Sequence, residues 1–225
     1  MSIENQPHNL PASPRTFVLG ISGASGAAYS LRFLRILLDQ GHEVHLVVSE
    51  YGRRLLFDEA GIKNLKLEEL AAGCHVARRS QLVIHPDKDV GAVIASGSFL
   101  HDGMAVLPCS SASLGQIANG SGSNLLCRAA MVTLKERRPL IICHREMPLS
   151  LIDIENMRRL SLAGAVLCSP NPGFYLSPTR IEDIIDFVVG KVLDLLNVKH
   201  DLNTRWQSAS TKPTTLPTTS GTDGK

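Results

Sequence analysis

Thr16–Gly41 reads TFVLGISGASGAAYSLRFLRILLDQG, and this stretch decides the fold. Its first seven residues, Thr16–Ser22, form a compact apolar run of strand character. Ala27–Gln40 follows with Ala27, Leu31, Leu34 and Leu38 at helical spacing, and Gly41 stands where a helix C-terminal glycine belongs. The turn between them is Ser22-Gly23-Ala24-Ser25-Gly26-Ala27. Its glycines let backbone approach a ligand closely, and the helix start offers unpaired N–H groups and a positive dipole, which suit a phosphate. The spacing matches neither the G-x-G-x-x-G dinucleotide fingerprint nor the G-x-x-x-x-G-K-S/T nucleotide loop, and a β-to-α turn without a ligand uses similar residues.

Outward from this unit the alternation repeats. His42–Val48 reads as a strand and Glu50–Ala60 as a helix; Ala92–Ala95 and Ala105–Leu107 read as short strands, Ser111–Ala118 and Asn124–Arg137 as helices. Leu140–Cys143 is a strand, Leu151–Ala163 a helix, Ala165–Cys168 a strand. Thr179–Leu196 is the clearest helix: Thr179 with Glu182 gives a capping-box signature, and Ile181, Ile184, Ile185, Val188, Val192 and Leu195 form one apolar stripe. Apolar strands alternating with helices predict an α/β fold, a flavodoxin-like or Rossmann-like three-layer sandwich with a central parallel sheet. Such sheets bind ligands beyond the carboxyl ends of their strands, at the topological switch point. The expected domain is 16–207, between disordered tails at 1–15 and 208–225, the latter rich in Thr, Pro, Ser and Gly.

Composition narrows the function classes. The chain has 225 residues, 44% of them hydrophobic, and a net charge of +2 with no extended basic stripe, so nucleic acid is not an expected partner. No apolar run reaches the roughly 18 residues of a membrane span, and residues 1–15 hold no signal-peptide core, so the expected setting is the cytoplasm. Cys74, Cys109, Cys127, Cys143 and Cys168 form no C-x-x-C pair, and Cys109, Cys143 and Cys168, which end apolar runs, read as small buried thiols. The histidines, among them His42 and His45, lack metal-ligand spacing, and no metal is expected.

Four further features carry chemistry. Pro108-Cys109-Ser110-Ser111-Ala112-Ser113 again leads from strand to helix and is either a second anion cradle or a serine-rich cap; Ser49 adds a hydroxyl at the same edge. Arg128 and Lys135 lie seven apart on one helix, Arg145 and Glu146 follow a strand, and Lys191 falls within the apolar arc of the last helix. Each cation alone fits an ion pair or a solvated side chain; together at one sheet edge they point to an anionic, phosphorylated ligand. Asn171-Pro172-Gly173-Phe174-Tyr175 is a turn whose aromatics either cover a flat ligand or pack the turn itself.

Taken in order, GISGASGA, PCSSASL, LKERRPL, REMPLS, Ile154-Glu155-Asn156-Met157 and NPGFY resemble the flavin prenyltransferases, the UbiX-type enzymes, from about Thr16 to Trp206. The resemblance implies a dimethylallyl group passed from dimethylallyl phosphate to N5 and C6 of reduced FMN, without metal. The product, prenylated FMN, serves UbiD-type decarboxylases. It implies FMN contacts at Gly23, Ala24, Ser25, Ser49, Ser110, Ser111, Ala112, Ser113 and Arg145, and an allyl-phosphate site of Arg128, Lys135, Arg145, Tyr175 and Lys191. Catalytic roles fall to Ser25, Glu59, Lys135 and Glu146, with Glu146 as acid/base. It also implies a homododecamer whose site is shared between subunits. His144 stands where the family usually has proline, Val90 where some members have tryptophan, and Lys191 where some have arginine. A phosphopantothenoylcysteine-type decarboxylase shares the fold but needs a catalytic histidine and a P-x-M-N-like segment, and neither is found. A plain flavin carrier would need the FMN site alone.

Overall fold

The structure is a computed structural model, and it describes residues 13–74, 80–202 and 204. Six strands, β1 (Thr16–Ile21), β2 (Glu43–Val48), β3 (Leu82–Pro86), β4 (Met104–Cys109), β5 (Leu140–His144) and β6 (Val166–Leu167), form one sheet. All neighbours are parallel and the order is β3-β2-β1-β4-β5-β6. Seven helices accompany it among the described residues: α1 (Ala27–Asp39), α2 (Glu50–Ala60), α3 (Leu67–Leu70), α4 (Ser111–Ala118), α5 (Leu125–Lys135), α6 (Leu151–Ala163) and α7 (Ile181–Leu195).

β1 and β2 alternate side chains to two faces, and both faces are buried. Phe17, Leu19, Val44 and Leu46 meet Phe33 and Leu37 of α1 and Val189 and Val192 of α7. Val18 and Val47 meet Leu114 of α4, Leu126 and Ala130 of α5 and Leu160 of α6. Two cores on one sheet make the three-layer sandwich, and the strand order reverses between β1 and β4, which sets the switch point there.

Three expectations change. Ala92–Ala95 is not a strand: Val93–Ala95 closes a 3₁₀ turn, with Ala95 N–H donating to Ala92 O and Ser96 N–H to Val93 O. The third strand is Leu82–Pro86, which sits at the sheet edge, where its final proline costs no inner ladder bond. The cap of α7 uses Asp183, not Glu182: its carboxylate accepts the N–H groups of Thr179 and Arg180 at 3.0 Å each. Ile181 at the start of the expected stripe is exposed, and so is Lys191; the buried arc is Val188, Val189, Val192 and Leu193.

His42 and His45 are built into the framework. His42 Nδ1 accepts the Arg15 N–H at 3.1 Å, while His45 bonds His85 at 2.8 Å and Glu43 at 2.9 Å. The Arg15 guanidinium donates to the Leu196 and Asn197 carbonyls, both at 2.9 Å, which ties residue 15 to the body. The rest of both expected tails lies outside the described residues, apart from Ser13 and Pro14.

Candidate active site

Three helices start at the carboxyl edge of the sheet around the switch point, each with a side-chain cap. Ser49 caps α2 by accepting the Gly52 N–H at 3.1 Å, Ser110 caps α4 by accepting the Ser113 N–H at 3.3 Å, and Asn124 caps α5 by accepting the Cys127 N–H at 2.9 Å. Ser22, fully buried, joins the two sides of the switch point: its hydroxyl donates to Pro108 O at 3.1 Å and accepts the Ser110 N–H at 2.7 Å.

The start of α2 presses on the β1–α1 turn at two glycines. A Cβ at Gly52 would stand 2.4 Å from Ile21 O, and one at Gly23 would stand 2.4 Å from Tyr51 Cβ. Only glycine permits both approaches. The result is a cavity of about 600 Å³ lined by Gly23, Ser49, Ser110, Ala112 and Ser113, and also by Tyr51, Arg53, Asp87, Lys88, Gln116, Ser123 and Asn124. Three helix amino ends, six hydroxyl- or amide-bearing side chains and two cations make this an anion-accepting cradle with one aromatic wall. The volume and lining fit a flavin mononucleotide. Burial pushes the Asp87 carboxyl up, against the pull of the Leu126 N–H and of Arg53.

A second cluster stands on the α1 side of the same turn. The N-cap of α1 is Gly26, which has no side chain to cap with. Glu59, from the last turn of α2, takes its place: Oε2 accepts the Gly26 and Ala27 N–H groups at 3.0 and 2.9 Å. Burial pushes the Glu59 carboxyl up, but the Ser25 hydroxyl, the Ala27 and Gly26 N–H groups and the Arg145 charge together hold it below the ordinary carboxylate value. Ser25, Glu59 and Arg145 are therefore one group, with Tyr29 in reach of the same guanidinium charge.

Ser111 faces away from the cavity. Its hydroxyl donates to Asp153 and lies 3.0 Å from His144 Nε2, while Asp153 also takes the Ser150 hydroxyl at 2.6 Å and N–H at 3.0 Å. The Ser150 hydroxyl, then Ser111, hold the Asp153 carboxyl down to about 2. His144 thus anchors the strand end that presents Arg145 and Glu146, a hydrogen-bonding task no proline could perform. Glu146 is exposed and accepts the Met147 N–H at 3.0 Å.

The remaining expected residues are dispersed within the chain. Tyr175, half-exposed, meets Phe187 edge-on at 5.7 Å. Lys191 acts on Cys168 beyond β6. Arg128 is exposed on α5, and Lys135 ends that helix beside Glu136, roughly 16 Å along the axis from Asn124 and towards the amino edge of the sheet. Neither Lys135 nor Arg128 lines the cavity, although Arg128 stands one helical turn beyond the lining residue Asn124. Arg53, Lys88 and Tyr51 were missed for a definite reason. With the third strand expected at 92–95, Pro86-Asp87-Lys88 does not read as a strand end, and Ser49 alone, without the Tyr51 and Arg53 of the helix that follows it, stands in the expected site.

Comparison with known proteins bears on this geometry. The Flavoprotein family model matches residues 5–193. A flavin prenyltransferase UbiX of Halalkalibacterium halodurans is 43% identical over 194 residues, covering 84% of this chain and 92% of its own. Among solved structures, AnUbiX (PadA1) in complex with FMN and dimethylallyl pyrophosphate is similar at a TM-score of 0.77 with 36% identity, covering 87% of this chain and 99% of its own. A dodecameric FMN-dependent UbiX-like decarboxylase from Escherichia coli O157:H7 is similar at a TM-score of 0.77 with 37% identity, covering 86% and 100%.

Proposed function

The chain belongs to the flavin prenyltransferases, and from that premise we propose that it joins a dimethylallyl group from dimethylallyl phosphate to reduced FMN, giving prenylated FMN for a UbiD-type decarboxylase. The observation that carries this reading is the pairing of a cradle of three helix starts with an adjacent Ser25–Glu59–Arg145 group at one switch point.

When bound, FMN supplies the nucleophilic ring to be alkylated. Gly23, Ser49, Ser110, Ala112 and Ser113 would hold it in the cavity, with Ala24 as the buried support of the turn. Arg53 and Lys88 add charge for its phosphate. Arg145, Tyr175 and Lys191 hold the phosphate of the donor and stabilise the charge that grows on it as it leaves, the task a metal performs in other prenyl transfers. Ser25 donates its hydroxyl to ionised Glu59, so its oxygen is free to accept from the ligand and can pass a proton on to that carboxylate. Glu146, exposed at the rim, exchanges the proton lost on ring closure.

Lys135 and Arg128 belong to this mechanism only across a subunit boundary. Leu151, Ile152 and Leu162 of α6 are all more than 70% exposed, at 72, 73 and 75%, which supports an assembly of several copies, read here as a dodecamer. We place the enzyme in the cytoplasm, supported by Cys109, Cys127, Cys143 and Cys168 standing as thiols. No helix among the described residues is long and apolar enough to cross a membrane.

Anaerobic incubation with reduced FMN and dimethylallyl phosphate, then mass spectrometry of the released flavin, tests the reading. A gain of one dimethylallyl unit is expected. Unmodified FMN, with binding verified and the diphosphate donor also supplied, would sink it.

A further inference from the structure

β5 and β6 pair Ile141 with Val166 and Ile142 with Leu167, so the next rung opposes Cys143 to Cys168. The Cys168 N–H donates to Ile142 O at 2.9 Å, which continues the ladder to that rung. Both side chains lie on one face: Cys143 is part of the core under α1 and α7, and Cys168 packs against that core. The two thiols are close enough for each to shift the other's ionisation. Neighbouring strands run about 4.8 Å apart, inside the roughly 4.4–6.8 Å between Cα atoms that a disulfide spans.

We propose that Cys143 and Cys168 are a redox-active dithiol that closes to a reversible disulfide under two-electron oxidation by a hydroperoxide. Cys168 is the attacking sulfur and Cys143 the resolving one. Cys168 is half-buried where Cys143 is fully buried, so an oxidant reaches it first. Its thiol is drawn down by the hydrogen bond from Cys143 and by Lys191, against the effect of burial, while the Cys143 thiol is pushed up by the same contact and by burial. Cys109 and Cys127 differ: burial pushes both up, Cys127 to about 12, and leaves them inert.

The chemistry balances. The Cys168 thiolate attacks one peroxide oxygen, the O–O bond breaks, and hydroxide leaves and is protonated to water. The Cys143 sulfur then attacks the resulting sulfenic acid. The S–S bond forms, the S–O bond breaks, and the hydroxyl leaves as water with the Cys143 proton. Each sulfur has lost one electron and each peroxide oxygen has gained one. The link falls two residues before Arg145, on the strand that carries it to the site, and beside Lys191.

The test does not involve flavin and so stands apart from the prenyl-transfer reading. The full chain is treated with hydrogen peroxide, quenched with an alkylating agent under denaturing conditions and mapped by mass spectrometry before and after dithiothreitol. A peptide pair joined through Cys143 and Cys168, lost on reduction, is expected, with Cys109 and Cys127 alkylated throughout. Cys143→Ser should leave a dimedone-reactive sulfenic acid at Cys168, and Cys168→Ser should leave Cys143 a thiol. A link between other cysteines, or Cys168 oxidised to sulfinic acid in the wild type while Cys143 is still alkylated, overturns the proposal. So does modification of Cys143 in Cys168→Ser.

Discussion

Over the ends of β1 to β4, the starts of three helices converge on one cavity and are fixed before a ligand arrives. On the β6 side, charge is carried by side chains that stand in the open: Arg145 and Glu146 after β5, Lys191 on α7, and Tyr175 on a turn between. A rigid cradle suits a large ligand that is held while chemistry is done on it. An open rim suits a small anionic donor that must enter and whose phosphate must leave. The cradle is assembled within one chain, whereas neither Lys135 nor Arg128 of α5 lines it.

If binding and chemistry are divided in this way, variants at the rim and in the cradle fail differently. The largest effect is expected at the rim. Glu146→Gln should lower kcat by about 10²–10⁴-fold, the usual worth of a positioned acid/base, with FMN affinity unchanged. Product formation at the wild-type rate would remove Glu146 from that role. In the cradle, Gly23→Val places a side chain against Tyr51 and should weaken FMN binding by about 100-fold or more in a fluorescence titration, with secondary structure retained. Lys191→Met should cost about 10–100-fold in kcat/KM for the allyl donor, the range of a lost charged hydrogen bond. Should Lys191→Met instead weaken FMN and spare the donor, the division between cradle and rim is wrong.

Much of this division could be read in the residues alone. Glycine and serine at strand ends mark backbone that must turn and cap, and Gly23, Ser49 and Ser110 line the cavity as that chemistry requires. The parallel sheet followed from apolar strands alternating with amphipathic helices. Local pattern could not tell Ala92–Ala95 from Leu82–Pro86, because both are short apolar runs and the choice was made by pairing with β2. Glu59 could be placed only by resemblance, since its partners Gly26 and Ala27 are more than thirty positions away in sequence, at separations of 33 and 32. Lys191 looked buried from its helical phase, but the arc turned out narrower, and the side chain is exposed.

Glu59 lies between the two regions, and its removal should have an intermediate result. Glu59→Gln keeps an oxygen for the α1 N–H groups but loses the negative charge at a helix start, so stability should fall by about 0.3–1 kcal/mol. Ser25 would lose its ionised acceptor, and product formation should drop several-fold at unchanged FMN affinity. A stability loss with no change in turnover would leave Glu59 a helix cap only.

The smallest effects concern acid, where the two regions again differ. Burial lowers His85 on β3, His101 before the start of β4, and His144 at the rim, below the ordinary histidine value. For each, the unfolded chain takes up its proton first as pH falls. Stability therefore declines from about pH 6.5 downwards until the folded histidine also titrates. Asp153 has the opposite origin but the same sense on acidification. Its folded value is held at about 2, so its contribution is complete above the ordinary aspartate value and is lost only as pH falls from about 4 towards 2. Urea unfolding between pH 8 and 3 should therefore show two limbs. Asp153→Asn should flatten the lower limb, since only its ionised carboxylate accepts from Ser150 and Ser111 with full strength. His85→Gln should make the upper limb shallower, His101 and His144 still contributing, and leave the lower one intact. A single limb beginning below pH 4 would mean that the buried histidines titrate alike in the folded and unfolded chains, and that both regions meet acid through carboxylates alone.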